Sequence, residues 1–352
     1  MTTSFNNEGI MLKTFLLTAA LFSAATTAAY SGATGFREIA VSGTDRPLSA
    51  ALWYPTNDDG KTESIGENVV FLGTSAVRNA ALDGKRHPLV VLSHGYRGSW
   101  RNLGWLAGEL AARGYVVAAV DHPGTTTFDH RSAQAARLSE RPHDISRLID
   151  ALVADREVGD GIDTGRIAAI GHSLGGWTVM ALAGARVDTE RFAADCKVNT
   201  SPRACDLSGE LGLDPTSAER DRIEGDLHDP RIRAVVSLDL GLARSFTPES
   251  LAALHSPVLV IAAGIDIGDM PADLESGTLA RGLPKASSDY VLIPDAMHFS
   301  FLQICKPGAA ALIEADTPGD GIVCEDLGKR TRAEIHSEVT DRLVSFLGKA
   351  LP

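Results

Sequence analysis

Short, continuous apolar runs alternate along most of this chain with segments in which apolar residues recur every three or four positions. The runs at 36–41, 48–54, 88–93, 115–120, 166–170, 232–238, 258–262 and 290–293 read as strands. Pro88-Leu-Val-Val-Leu-Ser93 is apolar almost throughout, as in a parallel sheet covered on both faces. The periodic segments at 102–113, 142–154, 271–280 and 331–347, with the one opening at Trp177, read as helices, and Pro142 suits an opening turn. This alternation predicts a doubly wound, mostly parallel α/β sheet. Residues 36–41 and 48–54 are expected as an antiparallel pair at its edge, followed by a polar stretch through Arg86. Residues 187–231 break the alternation with polar, charged sequence. They are expected either as a cap-like insertion flanking a cleft or as a plain surface loop.

One junction in this pattern carries chemistry. The run at 166–170 gives way to Gly171-His172-Ser173-Leu174-Gly175 and then to a helix. Strand, tight turn and helix are the context in which G-x-S-x-G lifts a serine hydroxyl above a sheet, and a Cβ at Gly171 or Gly175 would clash there. Ser173 is the candidate nucleophile. A serine needs a base, and of ten histidines His298 is best placed, between the last strand and the final helix. His122, His130, His143, His228, His255 and His336 are expected on the surface or in loops, and His172 is expected to point away from the chemistry. An acid must hold the imidazole, and two aspartates at strand ends satisfy the order Ser, Asp, His: Asp239 and Asp266. Spacing does not choose between them. The two donors of an oxyanion hole are expected from the backbone N–H groups of Leu174 and Tyr96, with His94 holding the loop of Tyr96.

The amino terminus adds a location. Lys13 precedes an apolar stretch ending in small residues, so residues 1–33 read as a removable export signal, with Met11 an alternative start and Ala29 or Ala33 the cleavage point. Residues 34–352 then form one domain. Four cysteines, Cys196, Cys205, Cys305 and Cys324, fit two disulfides in an oxidising compartment, periplasmic or extracellular. Of three pairings, Cys196 with Cys205 and Cys305 with Cys324 close the shortest loops. No C-x-x-C or paired histidines suggest a metal, and residues 316–321 read as a turn rather than a calcium loop. A net charge of −12 argues against nucleic acid or an anionic membrane as partner.

Taken together, Leu-Val-Val-Leu-Ser-His-Gly-Tyr-Arg-Gly-Ser at 89–99, Gly-Tyr-Val-Val-Ala-Ala-Val-Asp-His-Pro-Gly at 114–124, Gly-His-Ser-Leu-Gly-Gly at 171–176, Arg-Ala-Val-Val-Ser-Leu-Asp at 233–239 and His-Phe-Ser-Phe-Leu at 298–302 resemble the bacterial α/β-hydrolases labelled predicted dienelactone hydrolases, related to platelet-activating factor acetylhydrolase. The resemblance implies the α/β-hydrolase fold and carboxylic ester hydrolysis without a metal or organic cofactor. Acetylhydrolase-like relatives carry the acid one strand after the serine, which favours Asp239; dienelactone and polyester hydrolases carry it one strand later, near Asp266. Dienelactone hydrolases use a cysteine where this chain has Ser173, so that label does not transfer to the substrate. The expected substrate is a small-molecule or lipid ester. A polyester- or lipid-specific esterase and a non-catalytic binding protein on the same fold are the alternatives.

Overall fold

The computed structural model describes residues 1–4, 32–42, 45–268 and 270–352. Apart from its first four and last two residues, the expected leader lies outside the described residues.

Among the described residues ten strands form one sheet: β1 (Ala33–Val41), β2 (Leu48–Thr56), β3 (Thr62–Ile65), β4 (Thr74–Arg78), β5 (His87–Ser93), β6 (Val116–Asp121), β7 (Ile162–His172), β8 (Ile232–Leu238), β9 (Val258–Ile265) and β10 (Ser288–Met297). Their order is β10-β9-β8-β7-β5-β6-β2-β1-β4-β3. The six strands from β10 to β6 are all parallel, while β2 runs antiparallel to both β6 and β1. The apolar run of β5 explains its central place. Leu89 and Val91 enter the core on one face of the sheet, Val90 and Leu92 the core on the other.

The helices cover both faces. On one side lie α1 (Gly104–Ala111) and the closing α7 (Arg332–Ala350), whose Ile335, Val339, Leu343 and Leu347 recur every four residues and are fully buried. On the other lie α2 (Glu140–Ala154), α3 (Leu174–Leu182), α4 (Thr189–Cys196) and α5 (Ser276–Gly282). Helix α6 (Ala309–Asp316) sits within the segment between Cys305 and Cys324. Thr331 caps α7, its hydroxyl accepting from the Glu334 N–H while the Glu334 carboxylate accepts from the Thr331 N–H.

Two expectations need correction. The polar stretch through Arg86 holds the hairpin β3–β4, and β4 also pairs in parallel with β1, so the β1–β2 pair is not the edge. Its inward residues Ile65, Ala76 and Val77 are too few to show a two-residue period in the sequence. The helix expected over 271–280 starts only at Ser276, because the Glu275 carboxylate turns inward to the Ala243 N–H and Arg244.

Residues 187–231 are more than a loose loop. Phe192, Leu211, Leu213, Ile223 and Leu227 are buried in the first core, and Arg244 reaches from the β8–β9 connection to the Asp195 carboxylate and the Asn199 carbonyl. The cysteines pair as Cys196–Cys205 and Cys305–Cys324, with Cα atoms 5.7 and 5.6 Å apart. Among the described residues no helix is long and apolar enough to cross a membrane, and no cluster of His, Cys, Asp or Glu could hold a metal ion.

Candidate active site

The loops leaving the carboxyl ends of β5 and β7 are neighbours because Ser93 pairs with Gly171 across the two strands. Here the strand order reverses, since the chain goes from β5 outward to β6 and then returns past β5 to β7, which opens a crevice at the strand ends. Ser173 stands in that crevice at φ +55° and ψ −121°, outside the regions an L-residue ordinarily adopts. The turn is held from both sides: the Ser173 N–H donates to the Leu238 carbonyl at 3.0 Å, and a Cβ on Gly171 or Gly175 would collide with the Gly175 or Ser93 backbone carbonyl. The Ser173 side chain stays partly exposed while the whole of α3 behind it is buried.

His298 follows β10 and is buried. Its Nδ1 lies 2.7 Å from Asp239 Oδ2, which fixes Nδ1–H as the donor and leaves Nε2 as the free nitrogen. Asp239 is itself tied down. Its Oδ1 accepts from the Ala263 N–H at 2.9 Å, its own N–H donates to the Ile261 carbonyl at 2.7 Å, and its φ is +44°. Asp266 does not join this group: it is exposed, and its Oδ1 caps a turn by accepting from the N–H groups of Gly268 and Met270.

The N–H groups of Tyr96 and Leu174 are aimed by the same device. In a trans peptide the N–H points opposite to the carbonyl, so whatever holds the carbonyl aims the N–H. The Gly95 carbonyl accepts from His94 Nδ1–H at 2.6 Å and from the Gly98 N–H at 3.1 Å, which sets the Gly95–Tyr96 peptide. The Ser173 carbonyl accepts from the N–H groups of Gly176 and Trp177, which turns the Leu174 N–H out of the helix, where no intrahelical acceptor exists. His94 has the expected loop-holding place: its Nε2 accepts from the His122 N–H, and burial, followed by the Arg141 charge, keeps its pKa well below the ordinary value.

Three histidines depart from expectation. His172 does not point away from the chemistry. Its ring centroid is 4.6 Å from that of His298, and its Nε2–H donates to the His298 carbonyl at 2.9 Å. His336 is buried, stacks 3.5 Å from Trp105, and donates to the Ser300 and Leu302 carbonyls, while Trp105 Nε1–H donates to that of Phe301. Four carbonyls of the turn carrying His298 are thus held by His172, His336 and Trp105. Burial, and then the Arg332 charge, lowers the His336 pKa to about 3. His122 is fully buried between Ser93 Oγ and the Asp144 carboxylate. Each sits in sequence that reads as loop or helix surface, so only long-range contacts reveal its place. His130, His143, His228 and His255 are exposed as expected.

Tyr96 and Phe299, each within two residues of a loop residue of this group, both touch the 187–231 segment. The Tyr96 hydroxyl donates to the Glu210 carboxylate, and the Arg203 guanidinium lies 5.8 Å from the Phe299 ring centroid. Arg97 lies over the Tyr96 ring at 5.2 Å. Residues 317–319 turn from α6 into a 3-10 helix at Asp320–Cys324, and the Gly319 and Gly321 N–H groups donate to Glu314.

Comparison with known proteins agrees with this architecture. Residues 84–204 match the family described as serine aminopeptidase, S33. Cutinase 1 of Thermobifida cellulosilytica is 32% identical over 126 residues, 35% of this chain and 45% of that protein. Platelet-activating factor acetylhydrolase of Cavia porcellus is 26% identical over 207 residues, 43% of this chain and 47% of that protein. The chain therefore spans less than half the length of either relative. Among solved structures, a ferulic acid esterase from Streptomyces cinnamoneus superposes with a TM-score of 0.62 at 21% identity, covering 93% of this chain and 92% of that one. Sheet order, a turn-borne serine at the crevice and these likenesses together give the chain the α/β-hydrolase fold.

Proposed function

We propose that the protein is a serine hydrolase of carboxylic esters, exported to an oxidising compartment. The observation that carries the reading is the Asp239–His298 pair at 2.7 Å, with a positive-φ serine whose N–H donates to the carbonyl of Leu238, the residue before Asp239. In this reading Ser173 Oγ attacks the ester carbonyl while His298 Nε2 takes its proton. Asp239 stabilises the imidazolium, and the N–H groups of Tyr96 and Leu174 receive the oxyanion. His298 then gives the proton to the leaving alkoxide. Water, deprotonated by the same nitrogen, releases the acid from the acyl-enzyme and regenerates Ser173.

The names of the relatives, cutinase, acetylhydrolase and ferulic acid esterase, all denote ester substrates. Two disulfides fit an oxidising destination. The substrate we propose is a small or lipid ester entering between Tyr96 and Phe299, with the 187–231 segment as the fixed flank of the mouth. Turnover of p-nitrophenyl butyrate by wild type and by Ser173→Ala tests the assignment, with an amino-acid p-nitroanilide as the peptidase control. Turnover of the ester alone, lost in Ser173→Ala, is expected. Undiminished hydrolysis by the variant would refute the role of Ser173.

A further inference from the structure

Arg141 on α2 is fully buried, which is rare for a guanidinium. The buried carboxylate of Asp144, three residues on along α2, is engaged by the forked contact of Arg46 at 2.9–3.1 Å and by His122. Among the described residues no carboxylate lies within ion-pair distance of Arg141. Its partners are instead three hydroxyls and a carbonyl. Nε donates to Thr178 Oγ1 at 2.9 Å, Nη1 to Thr125 Oγ1 at 2.7 Å, and Nη2 to Ser93 Oγ at 3.2 Å and to the His94 carbonyl. An unpaired buried cation is costly, and its cost asks for a compensating role.

The partners indicate which role. The His94 carbonyl belongs to the peptide preceding Gly95–Tyr96, so Arg141 fixes one peptide and His94 Nδ1–H fixes the next. Thr178 Oγ1, the acceptor of Nε, in turn donates to the Leu174 carbonyl at 3.0 Å in the first turn of α3. One planar fork therefore reaches the two segments that supply the Tyr96 and Leu174 N–H groups, which follow different strands. Resting on the ester-hydrolase reading, we infer that Arg141 is a positioning residue for the oxyanion hole: it locks the β5 loop to the elbow helix so that both N–H donors converge on one point. The rigid five-donor fork suits this task, and a lysine ammonium at that place could serve only part of it. Burial, the leading cause, brings the Arg141 pKa down to about 9, which leaves it protonated at neutral pH. Its positive charge, with the carboxylate of Asp144 already shared, also favours negative charge developing on the substrate.

The test compares Arg141→Met, Arg141→Lys and Thr178→Val with wild type on p-nitrophenyl butyrate, measuring kcat and KM separately. It also measures inhibition by butylboronic acid, which adds to a serine as a tetrahedral anion. Removal of one oxyanion donor costs on the order of 100- to 1000-fold in kcat. Arg141→Met is expected to lose about that much kcat with KM changed less than about threefold, and to lose boronate affinity in step with kcat/KM. Arg141→Lys should recover part of the loss, and Thr178→Val, which keeps the cation and cuts one link, should lose about tenfold. A purely structural role would lower the melting temperature and the active fraction without separating kcat from KM or tracking boronate affinity. If Arg141→Met does not fold, Thr178→Val and Arg141→Lys decide: wild-type kcat and boronate affinity in both would overturn the inference. Turnover by the wild type that is lost in Ser173→Ala keeps the ester-hydrolase reading intact whichever way Arg141 falls, whereas an inactive wild type would overturn that reading instead.

Discussion

Replacing each candidate acid by its amide separates the two aspartates. In Asp239→Asn the side chain keeps its shape, and the amide oxygen can still accept from the Ala263 N–H or from His298 Nδ1–H, but the negative charge is gone. Both His298 and Asp239 are buried, and their contact is 2.7 Å. At an effective dielectric of about 20, a unit charge pair at that distance is worth roughly 332/(20 × 2.7), or about 6 kcal/mol, once the imidazole is protonated in the transition state. At 1.36 kcal/mol per decade that is between four and five decades of kcat, about the size of loss seen when a triad aspartate is amidated elsewhere. Asp266→Asn should change kcat less than about threefold, because Asp266 is exposed and an asparagine Oδ1 can still accept the Gly268 and Met270 N–H bonds. The assay is initial-rate hydrolysis of p-nitrophenyl butyrate at pH 7–8, with active sites titrated by a phosphonate. The reasoning is refuted if Asp266→Asn loses more activity than Asp239→Asn, or if Asp239→Asn keeps a tenth of wild-type kcat.

Gly171→Ala should leave little soluble protein, because its Cβ would overlap the Gly175 carbonyl, a backbone group that cannot step aside; expression level and circular dichroism check this. Removing the Cys196–Cys205 staple by Cys196→Ser with Cys205→Ser should cost about 2–3 kcal/mol at most by the loop-entropy estimate for a short loop, read from urea unfolding. It should also change KM more than kcat if the 187–231 segment forms the mouth. For pH, His336 has its folded pKa near 3, below the 6.5 of an exposed imidazole. The unfolded chain then binds the proton first, so the stability contributed by neutral His336 is complete above pH 6.5 and is lost as pH falls from there toward 3. The buried His94, His122 and His172 are shifted in the same direction. Urea midpoints should fall between pH 7 and pH 4, and His336→Gln should flatten that slope.

The parts legible in the sequence are those that local pattern dictates. Strands β5 to β9 announce themselves as apolar runs, and the turn around Ser173 follows from glycines at two crowded positions. The order of Ser173, Asp239 and His298 is a property of the chain itself. What the sequence leaves open depends on distance in space. Asp239 and Asp266 both end a strand, and only the packing of β8 beside β9 decides which reaches His298. The histidines that brace the site are polar residues in polar surroundings, and His336 on α7 looks like solvent face until Trp105 is laid against it. Arg141 reads likewise as helix surface, since nothing nearby in sequence indicates that Ser93, Thr125 and Thr178 will enclose it. The hairpin β3–β4 is too short for its period to register.

The central claim is that Ser173, activated through His298, forms the covalent intermediate. Treating the folded protein with a fluorophosphonate and mapping the adduct by peptide mass spectrometry, with residual esterase activity measured on the same samples, tests it most directly. The account predicts one phosphonyl group per chain, on Ser173, with activity lost in proportion to labelling and labelling abolished in Ser173→Ala. Full activity in protein whose Ser173 is quantitatively labelled, or inactivation with the label on another residue, would contradict it.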